Sequence, residues 1–547
     1  MFKEDPARQP APTNVARRLL DADLRFVGGL LRTVGATVGA GPGHPAASPV
    51  AVEPGDRRFT DPAWNDNAYF HLLQQVYLLG ARLTLESVDA LPLGDHDRQV
   101  ARFLARQVID AGAPTNVLPG NPAALRTAWR TRGRSLVRGA GAFLGDLAAG
   151  RMLPKAVADE DFVVGRDLAT SPGRVVFRNH LMELLQYEPR TETVHTTPML
   201  VSPPWVNKYY VLDLSPGRSV VEWLVDHGHT VFVVSYRNPD ASLRDVGFDD
   251  YLRDGLLTAI GVIEDITGQD EVNVAGACLG GLLALMLTAW LADDASPRVG
   301  SVTLVNTLVD FSDITEFVES SVAGKVYEHV VVDLIERATG RRGYLDGRRV
   351  DDFFRFLRAN ELVWRSTGSN WLMGRRPPSL DILTWSSDGM NIPHRAQRYF
   401  MREIFLRNDF ARGRAVLAGR TLSPKKITQD VFVAAARKDH IVPWESAYRT
   451  TALLPGAVRF FLSAGGHVAG ALAPPGPKAR YWTSEPPFAP NPQTWLATAT
   501  EHRQGWWESW ADWLADRSGP RRPPPPMGSD RYPPGEPAPG TYVLQKI

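Results

Sequence analysis

The fold is decided by the stretch Gly276-Ala277-Cys278-Leu279-Gly280-Gly281, which lies between the short apolar run 272–275 and the longer apolar run 282–292. Its pattern is Gly-x-Cys-x-Gly, in which a nucleophile stands between two glycines. The turn from a strand into a helix is so tight there that a side chain at Gly276 or Gly280 would collide with the neighbouring strand or helix. The stretch therefore predicts a strand, a sharp turn that presents the Cys278 thiol, and a buried helix.

The same pattern also fits a buried structural cysteine in a glycine-rich packing segment. Two later residues favour catalysis, because they follow in the chain order nucleophile, acid, histidine. Asp439 directly follows the apolar run 431–434, and His467 follows the run 458–461 between glycines that let the loop bend back. We therefore predict a triad of Cys278, Asp439 and His467.

His440 is the competing candidate for the base. It is the immediate neighbour of Asp439 in the chain, so its side chain is expected to point elsewhere from the same loop. A loop histidine flanked by glycines after the next strand is the better candidate. We assign the base to His467 and local structure to His440.

From about residue 161 the sequence alternates short β-branched apolar runs with helical stretches, a pattern typical of a largely parallel sheet with helices on its faces. Ser219 and Glu222 have capping-box spacing and predict a helix that ends at about His227. The predicted strands lie at residues 199–201, 231–234, 272–275, 302–305, 431–434 and 458–461.

An insertion separates the nucleophile from the acid. Cys278 and Asp439 are 161 residues apart, whereas two or three βα units need only about 60 to 90 residues. The excess at about residues 310–410 is helix-rich and aromatic. We expect it to form a cap over the site that excludes water.

The two ends of the chain differ from its middle. Residues 61–160 have apolar side chains at spacings of three and four and predict a helical N-terminal domain. Residues 1–60 are rich in Pro, Ala, Gly and Arg, and we expect a variable, flexible segment. Residues 520–547 form a Pro-rich tail that cannot be helical.

Composition argues against several classes of protein. Lys and Arg number 61 against 60 Asp and Glu, so the chain has no basic field for nucleic acid. Cys278 is the single cysteine, which excludes an intramolecular disulfide and Cys-rich metal sites. The first thirty residues lack the apolar stretch of a signal peptide. We expect a cytoplasmic protein with no transmembrane segment, because the membrane-like residues 274–292 are predicted to form a strand and a helix of the sheet. We also expect no metal or redox cofactor.

With these motifs the sequence resembles the poly(3-hydroxyalkanoate) synthases, which make the polyester of bacterial storage granules. The resemblance runs from about residue 58 to the C-terminal end and includes the Cys278 elbow. Its other segments are Arg58-Phe59-Thr60-Asp61-Pro62-Ala63-Trp64, Pro114-Thr115-Asn116, Val164-Gly165-Arg166, residues 207–214 and 233–239, Leu357-Arg358-Ala359-Asn360, Lys438-Asp439-His440, residues 466–470, Tyr481-Trp482 and residues 536–543.

The resemblance implies an α/β-hydrolase fold with a helix-rich cap insertion in residues 161–519, preceded by a helical N-terminal domain involved in dimerisation and granule contact. It implies polymerisation of (R)-3-hydroxyacyl-coenzyme A through an acyl group on Cys278, with release of coenzyme A. The implied partners are this substrate, the growing polyester chain, the granule surface and a second copy in a homodimer, but no nucleic acid. The implied location is the cytoplasm, at the granules.

The developing oxyanion would be met by the backbone N–H of Leu279 and by a second N–H from the loop after residues 199–201. Pro203 and Pro204 have no N–H to donate. The second donor is therefore Trp205 or Val206, and we take Val206 as the candidate.

Two other functions compete with the synthase. A cysteine-dependent polyester depolymerase or thioesterase would use the same fold, and a non-enzymatic granule-coating protein would need no triad. The monomer length stays open: Leu279 favours short-chain monomers, because medium-chain synthases tend to have Ser there, but many short-chain members are longer than this chain. Residues 385–391 depart from the usual family pattern, and the arginines are too scattered to name a contact for coenzyme A.

Overall fold

A ten-stranded mixed sheet organises most of the chain in the computed structural model, which describes residues 12–39, 48–54, 56–158, 161–294, 298–472 and 474–547. The strands are β1 (Gly173–Arg178), β2 (Met182–Tyr187), β3 (Val194–His195), β4 (Met199–Ser202), β5 (Val231–Tyr236), β6 (Val272–Ala277), β7 (Val299–Val305), β8 (Tyr344–Leu345), β9 (Ile392–Pro393), β10 (Ala415–Leu417), β11 (Arg420–Leu422), β12 (Asp430–Ala436), β13 (Val458–Ser463), β14 (Tyr481–Thr483), β15 (Thr500–His502) and β16 (Arg521–Arg522). The large sheet has the order β1-β2-β5-β4-β6-β7-β12-β13-β14-β15. Its six central strands are parallel, and the two strands at each edge are antiparallel.

The central strands are apolar along their whole length because both faces of the sheet are covered. In β5, Phe232 and Val234 pack into one hydrophobic cluster, whereas Val231 and Val233 pack into a second cluster. Successive side chains of a strand point to opposite faces, so each face takes every second residue. All six predicted strands lie within β4, β5, β6, β7, β12 and β13, and the predicted α/β-hydrolase fold is confirmed.

Helices follow the strands as predicted. Ser219 accepts a hydrogen bond from the Glu222 N–H (3.0 Å) and caps the helix that was expected there. The helices that accompany the sheet before the insertion are α7 (Val220–Asp226), α8 (Phe248–Asp250), α9 (Thr258–Thr267) and α10 (Leu279–Leu291). Those of the insertion are α11 (Ser312–Ser320), α12 (Val322–Val326), α13 (Asp333–Arg342), α14 (Gly347–Leu357), α15 (Asp381–Ser387) and α16 (His394–Tyr399). Those after it are α17 (Trp444–Tyr448), α18 (Thr450–Leu453), α19 (His467–Leu472), α20 (Pro492–Thr498) and α21 (Trp506–Ala515).

The chain forms two compact units, and the insertion is divided between them. One unit comprises Met1–Ala158, Phe317–Val326 and Asp352–Pro378, and the other comprises Asp159–Glu316, Tyr327–Asp351 and Ser379–Ile547. The insertion predicted at about residues 310–410 thus contributes residues to both units. Sequence order could not show this division, because which unit a helix joins depends on the apolar face it buries. That the insertion covers the site stays a prediction.

The first unit is helical, as predicted for residues 61–160. Its N-terminal helices are α1 (Pro12–Gly39), α2 (Ala63–Asp66), α3 (Ala68–Ala90), α4 (Asp95–Ala111), α5 (Pro122–Arg130) and α6 (Arg134–Ala148). Helix α1 lies in the segment that we expected to be flexible, of which residues 1–11, 40–47 and 55 lie outside the described residues. Its small residue Gly29 packs on Leu79 of α3, and Arg25 pairs with Glu86 (3.0 Å). Close packing of small residues against α3 explains why this Gly- and Ala-rich segment is a helix.

The Pro-rich tail has no α-helix, as its prolines require, but Tyr542–Leu544 beyond the prolines form a short 3-10 helix, which the sequence pattern did not predict. The tail is packed against the sheet unit. Residues Arg521–Arg522 form β16, which pairs with β3. Near the end of the chain, the buried Glu183 carboxylate accepts hydrogen bonds from the N–H groups of Thr541 and Tyr542 (both 3.1 Å), and Val543 is buried. The tail is therefore part of the folded unit and contributes core contacts that its composition did not indicate.

The membrane-like residues 274–292 are divided between strand β6 and helix α10 of the sheet unit. Throughout the part of the chain that the structure describes, no helix combines the length and hydrophobicity that a membrane span requires.

Candidate active site

Cys278 lies at the turn between β6 and α10, at the carboxyl edge of the parallel strands. Its backbone has φ 51° and ψ −124°, in a region that residues with a side chain rarely occupy. Its N–H donates to the main-chain oxygen of Val305 at the end of β7 (2.9 Å). Strained backbone of this kind persists where surrounding contacts hold it, and it clusters at functional sites. The predicted sharp turn is present, and it holds a partly buried thiol.

The two predicted elbow glycines leave room for main-chain atoms. A Cβ atom at Gly276 would lie 2.6 Å from the Gly281 nitrogen across the turn. A Cβ atom at Gly280 would lie 2.5 Å from the carbonyl carbon of Pro203, and closer still to the carbonyl oxygens of Ser202 and Pro203. Both distances are far below van der Waals contact, so neither position accommodates a side chain without backbone movement.

The acid and base meet at the same edge of the sheet. Asp439 follows β12, and its Oδ2 atom lies 2.6 Å from the His467 Nδ1 atom at the start of α19. The Asp439 Oδ1 atom accepts hydrogen bonds from the N–H groups of Ile441 (2.8 Å) and Val442 (2.9 Å). The side chain of Asp439 is 1% exposed and that of His467 is 12% exposed. The carboxylate is thus held by its own loop in the orientation that the imidazole needs.

Cys278 lies close enough to His467 to affect the pKa of the imidazole, so the structure brings the three predicted residues together. Burial lowers the pKa of His467, but the hydrogen bond with Asp439, the proximity of the Cys278 thiol and the negative charges of both groups outweigh burial and raise it to about 10. The imidazole is therefore protonated at neutral pH, next to the sulfur. This arrangement activates a thiol as a nucleophile.

His440, the competing candidate, follows Asp439 on the same loop. Its side chain is exposed on the loop, whereas Asp439 beside it is turned towards His467. The geometry therefore agrees with the assignment of the base to His467.

The N-terminus of α10 and the loop after β4 lie side by side. Leu279 is the first residue of α10, so its N–H belongs to the open N-terminal turn of the helix. The loop begins after Ser202, and Gly280 approaches its backbone closely. Within the loop the Asn207 N–H donates to the Pro204 oxygen (3.3 Å), and Val206 is buried. Backbone N–H groups of Leu279 and Val206 as oxyanion donors stay predictions.

Sequence patterns did not single out Lys208 as a structural residue of this loop. Its side chain is 2% exposed, and its Nζ atom donates to the main-chain oxygens of Val543 (2.7 Å) and Gln545 (2.6 Å) and pairs with Asp388 (2.9 Å). Burial lowers the pKa of Lys208, and Asp388 opposes this effect. The loop that follows β4 is therefore tied to the C-terminal tail. A lysine in an otherwise apolar and aromatic run, Asn207-Lys208-Tyr209-Tyr210, was the one available sequence signal.

Sequence reasoning also missed Asn306, which follows β7 and donates a side-chain hydrogen bond to the main-chain oxygen of His467. Among the residues that the structure describes, no group of three or more His, Cys, Asp or Glu side chains is placed to hold a metal ion.

Two family models match the chain. The N-terminus of poly-beta-hydroxybutyrate polymerase matches residues 55–224, and the alpha/beta hydrolase fold matches residues 212–474. The chain is 38% identical to the poly(3-hydroxyalkanoate) polymerase of Methylorubrum extorquens, over 91% of this chain and 82% of that protein. It is 39% identical to the polymerase of Cupriavidus necator, over 90% of this chain and 83% of that one. It is 37% identical to polymerase 2 of Ectopseudomonas oleovorans, over 91% and 88% respectively.

Proposed function

Because the chain belongs to the poly(3-hydroxyalkanoate) polymerase family, we propose that it polymerises (R)-3-hydroxyacyl-coenzyme A thioesters into polyester with release of coenzyme A. The observation that carries the proposal is the buried Asp439–His467 pair, bonded at 2.6 Å, beside Cys278 at the nucleophile turn. The reaction is an acyl transfer, in which the acyl group passes from coenzyme A to the enzyme and then to a hydroxyl group.

The first half of the reaction forms an acyl-enzyme. Asp439 holds the Nδ1 atom of His467, so the Nε2 atom serves Cys278. In the resting enzyme the proton of the Cys278 thiol already resides on the His467 imidazole, and the resulting thiolate attacks the thioester carbonyl. When the tetrahedral intermediate collapses, the carbon–sulfur bond to coenzyme A breaks and His467 returns the proton to the departing thiol. The acyl-enzyme is itself a thioester, so this exchange is close to isoenergetic.

The negative oxygen of the tetrahedral intermediate is stabilised by backbone N–H groups. We assign this role to Leu279 and Val206, one at the N-terminus of α10 and one in the loop after β4. The close approach of Gly280 to that loop supports the pairing, because it brings the two backbone segments together. A helix N-terminus adds favourable electrostatic interaction with the developing charge.

The second half lengthens the polyester. His467 removes the proton from the 3-hydroxyl of a hydroxyacyl group, and the resulting alkoxide attacks an acyl-thioester carbonyl. An ester bond forms, the carbon–sulfur bond breaks, and the proton returns to the sulfur that leaves. The cycle ends with Cys278 or coenzyme A as a free thiol, so atoms and charge balance.

We also propose that the protein works as a homodimer in the cytoplasm at the surface of polyester storage granules. Helix α1 supports a contact with an apolar surface, because Leu20, Leu24 and Leu31 are 58%, 61% and 68% exposed on one side of it. Large exposed apolar side chains grouped in this way are typical of interaction sites. Sedimentation of the purified protein and its partition onto isolated granules test both statements.

The decisive experiment measures thiol release from (R)-3-hydroxybutyryl-coenzyme A, followed by sizing of the acyl product. We expect release with insoluble polyester from the native protein, none from Cys278→Ala or His467→Ala, and near-native release from the matched control His440→Ala. Release that yields only free acid would contradict the polymerase and favour a cysteine-dependent depolymerase or thioesterase. Equal release from Cys278→Ala would contradict the mechanism itself.

A further inference from the structure

The end of strand β7 contacts both the nucleophile turn and the loop of the base. Val305, its last residue, accepts the hydrogen bond from the Cys278 N–H (2.9 Å). The next residue, Asn306, donates its side-chain amide to the main-chain oxygen of His467. The adjacent residues Val305 and Asn306 therefore bond the main chains of Cys278 and His467, whose side chains must exchange a proton.

Asn306 is itself fixed in a single arrangement. Its backbone has φ 46°, in the left-handed region, and its side chain is almost fully buried, since the residue is 3% exposed. Its N–H donates to the Ala434 oxygen of the neighbouring strand β12 (2.8 Å). Asparagine adopts this conformation more readily than most residues with a side chain. The amide that reaches His467 is thus anchored by its backbone to the sheet.

The loop that carries the base is rich in glycine and depends on main-chain hydrogen bonds for its conformation. The Lys438 N–H donates to the Gly465 oxygen (2.8 Å) and the Gly470 N–H donates to the Gly466 oxygen (2.6 Å), whereas the oxygen of His467 itself is bonded by Asn306. His467 follows Gly465 and Gly466, and it begins a helix of only six residues, His467–Leu472. Asp439 constrains the imidazole of His467. Within the part of the chain that the structure describes, the Asp439 side chain makes no hydrogen bond with the main chain of His467. The amide of Asn306 holds that main chain, so the two contacts fix different parts of the same residue.

We propose that Asn306 is a positioning residue that sets the distance between the Cys278 sulfur and the His467 imidazole. Its side-chain amide bonds the main-chain oxygen of His467, so it acts through the main chain of that residue. The inference builds on the proposed acyl transfer, but the geometry it describes concerns the thiol and imidazole alone. It can therefore be tested without the polymerisation substrate.

The test uses two variants and a matched control. Asn306→Gly keeps the left-handed backbone without strain and removes the amide. Asn306→Asp keeps the size of the side chain and replaces its N–H donor by an acceptor. The control is Asn408→Gly, because Asn408 also has a positive φ of 54°, is 3% exposed, and bonds Asp310 and Phe311 rather than the triad.

The first readout is iodoacetamide alkylation of Cys278, the single cysteine of the chain, as a function of pH. We expect both Asn306 variants to react more slowly than the native protein at about pH 7 and to approach its rate at high pH, because the imidazolium no longer sits at the sulfur. The second readout is release of coenzyme A, where we expect kcat to fall about 10- to 100-fold with little change in KM, as for a misplacement of about 1 Å. The control should match the native protein in both readouts.

Native alkylation and native kcat in both Asn306 variants would overturn the proposal. Equal losses in the Asn408 control would also overturn it, because the effect would then reflect general destabilisation. If Asn306→Gly does not fold, Asn306→Asp decides by the same criteria. Slow alkylation of the variants in a protein that releases no coenzyme A would support the positioning role and refute the proposed acyl transfer instead.

Discussion

Gly280→Ala is the substitution whose effect follows most directly from the structure. The added methyl group would stand 2.5 Å from the Pro203 carbonyl carbon and even closer to two carbonyl oxygens, whereas real Cβ contacts below 3.0 Å essentially never occur. The neighbouring atoms are backbone, so the loop after β4 or the start of α10 must move by roughly 1 Å, a displacement that costs on the order of 100-fold in rate. We expect kcat for release of coenzyme A to fall by that factor, because Leu279 and Val206 lie on the two displaced segments.

The matched control is Gly261→Ala within helix α9. A Cβ atom at Gly261 meets nothing within 4 Å, and alanine is favoured over glycine in a helix interior by about 0.5 to 1 kcal/mol. This variant should keep native kcat and gain slightly in stability. Steady-state kinetics and urea unfolding of both variants give the comparison. A Gly280→Ala enzyme with kcat within about threefold of the native value would refute the reasoning from backbone contact.

Three further predictions concern charged groups. Lys208→Met should lower the free energy of unfolding by about 3 to 5 kcal/mol, because it removes the buried cation beside the Asp388 carboxylate and leaves two carbonyl oxygens without their donor. Asp388 keeps its hydrogen bond from the Tyr210 hydroxyl (3.0 Å) and its pair with Lys546. Lys546→Met, whose side chain is 72% exposed beside the same carboxylate, should cost less than about 1 kcal/mol, and urea unfolding that gives equal losses would contradict this. Asp439→Asn should reduce kcat by about 1,000- to 10,000-fold, since the His467 tautomer is no longer fixed. Because the pKa of His467 is raised, protonation of this residue contributes stability that is complete below its usual pKa of 6.5 and is lost as pH rises through about 10. The difference in Tm between the native protein and Asp439→Asn should therefore shrink above that pH. A difference that grows instead would refute the pairing of His467 with Asp439.

The local patterns of the sequence were sufficient to predict the central strands, the nucleophile turn and the candidate triad. The β-branched runs placed the six central strands, because burial on both faces leaves few other compositions possible. The glycines around Cys278 predicted its turn, since only a residue without a side chain fits there. Asp439 and His467 could be named because the carboxyl ends of parallel strands meet at one edge of the sheet. Each of these inferences depends on a local pattern with a local physical cause.

How these parts are held together became visible only in the folded protein. The division of the insertion between two units, the packing of α1, and the burial of the Pro-rich tail all depend on contacts between distant segments. Lys208 finds its partners more than 300 residues away at Val543 and Gln545, and Asn306 reaches His467 across 161 residues. No periodicity or spacing encodes such pairs, because they arise from which faces of the folded elements come together and which buried polar groups must then be satisfied.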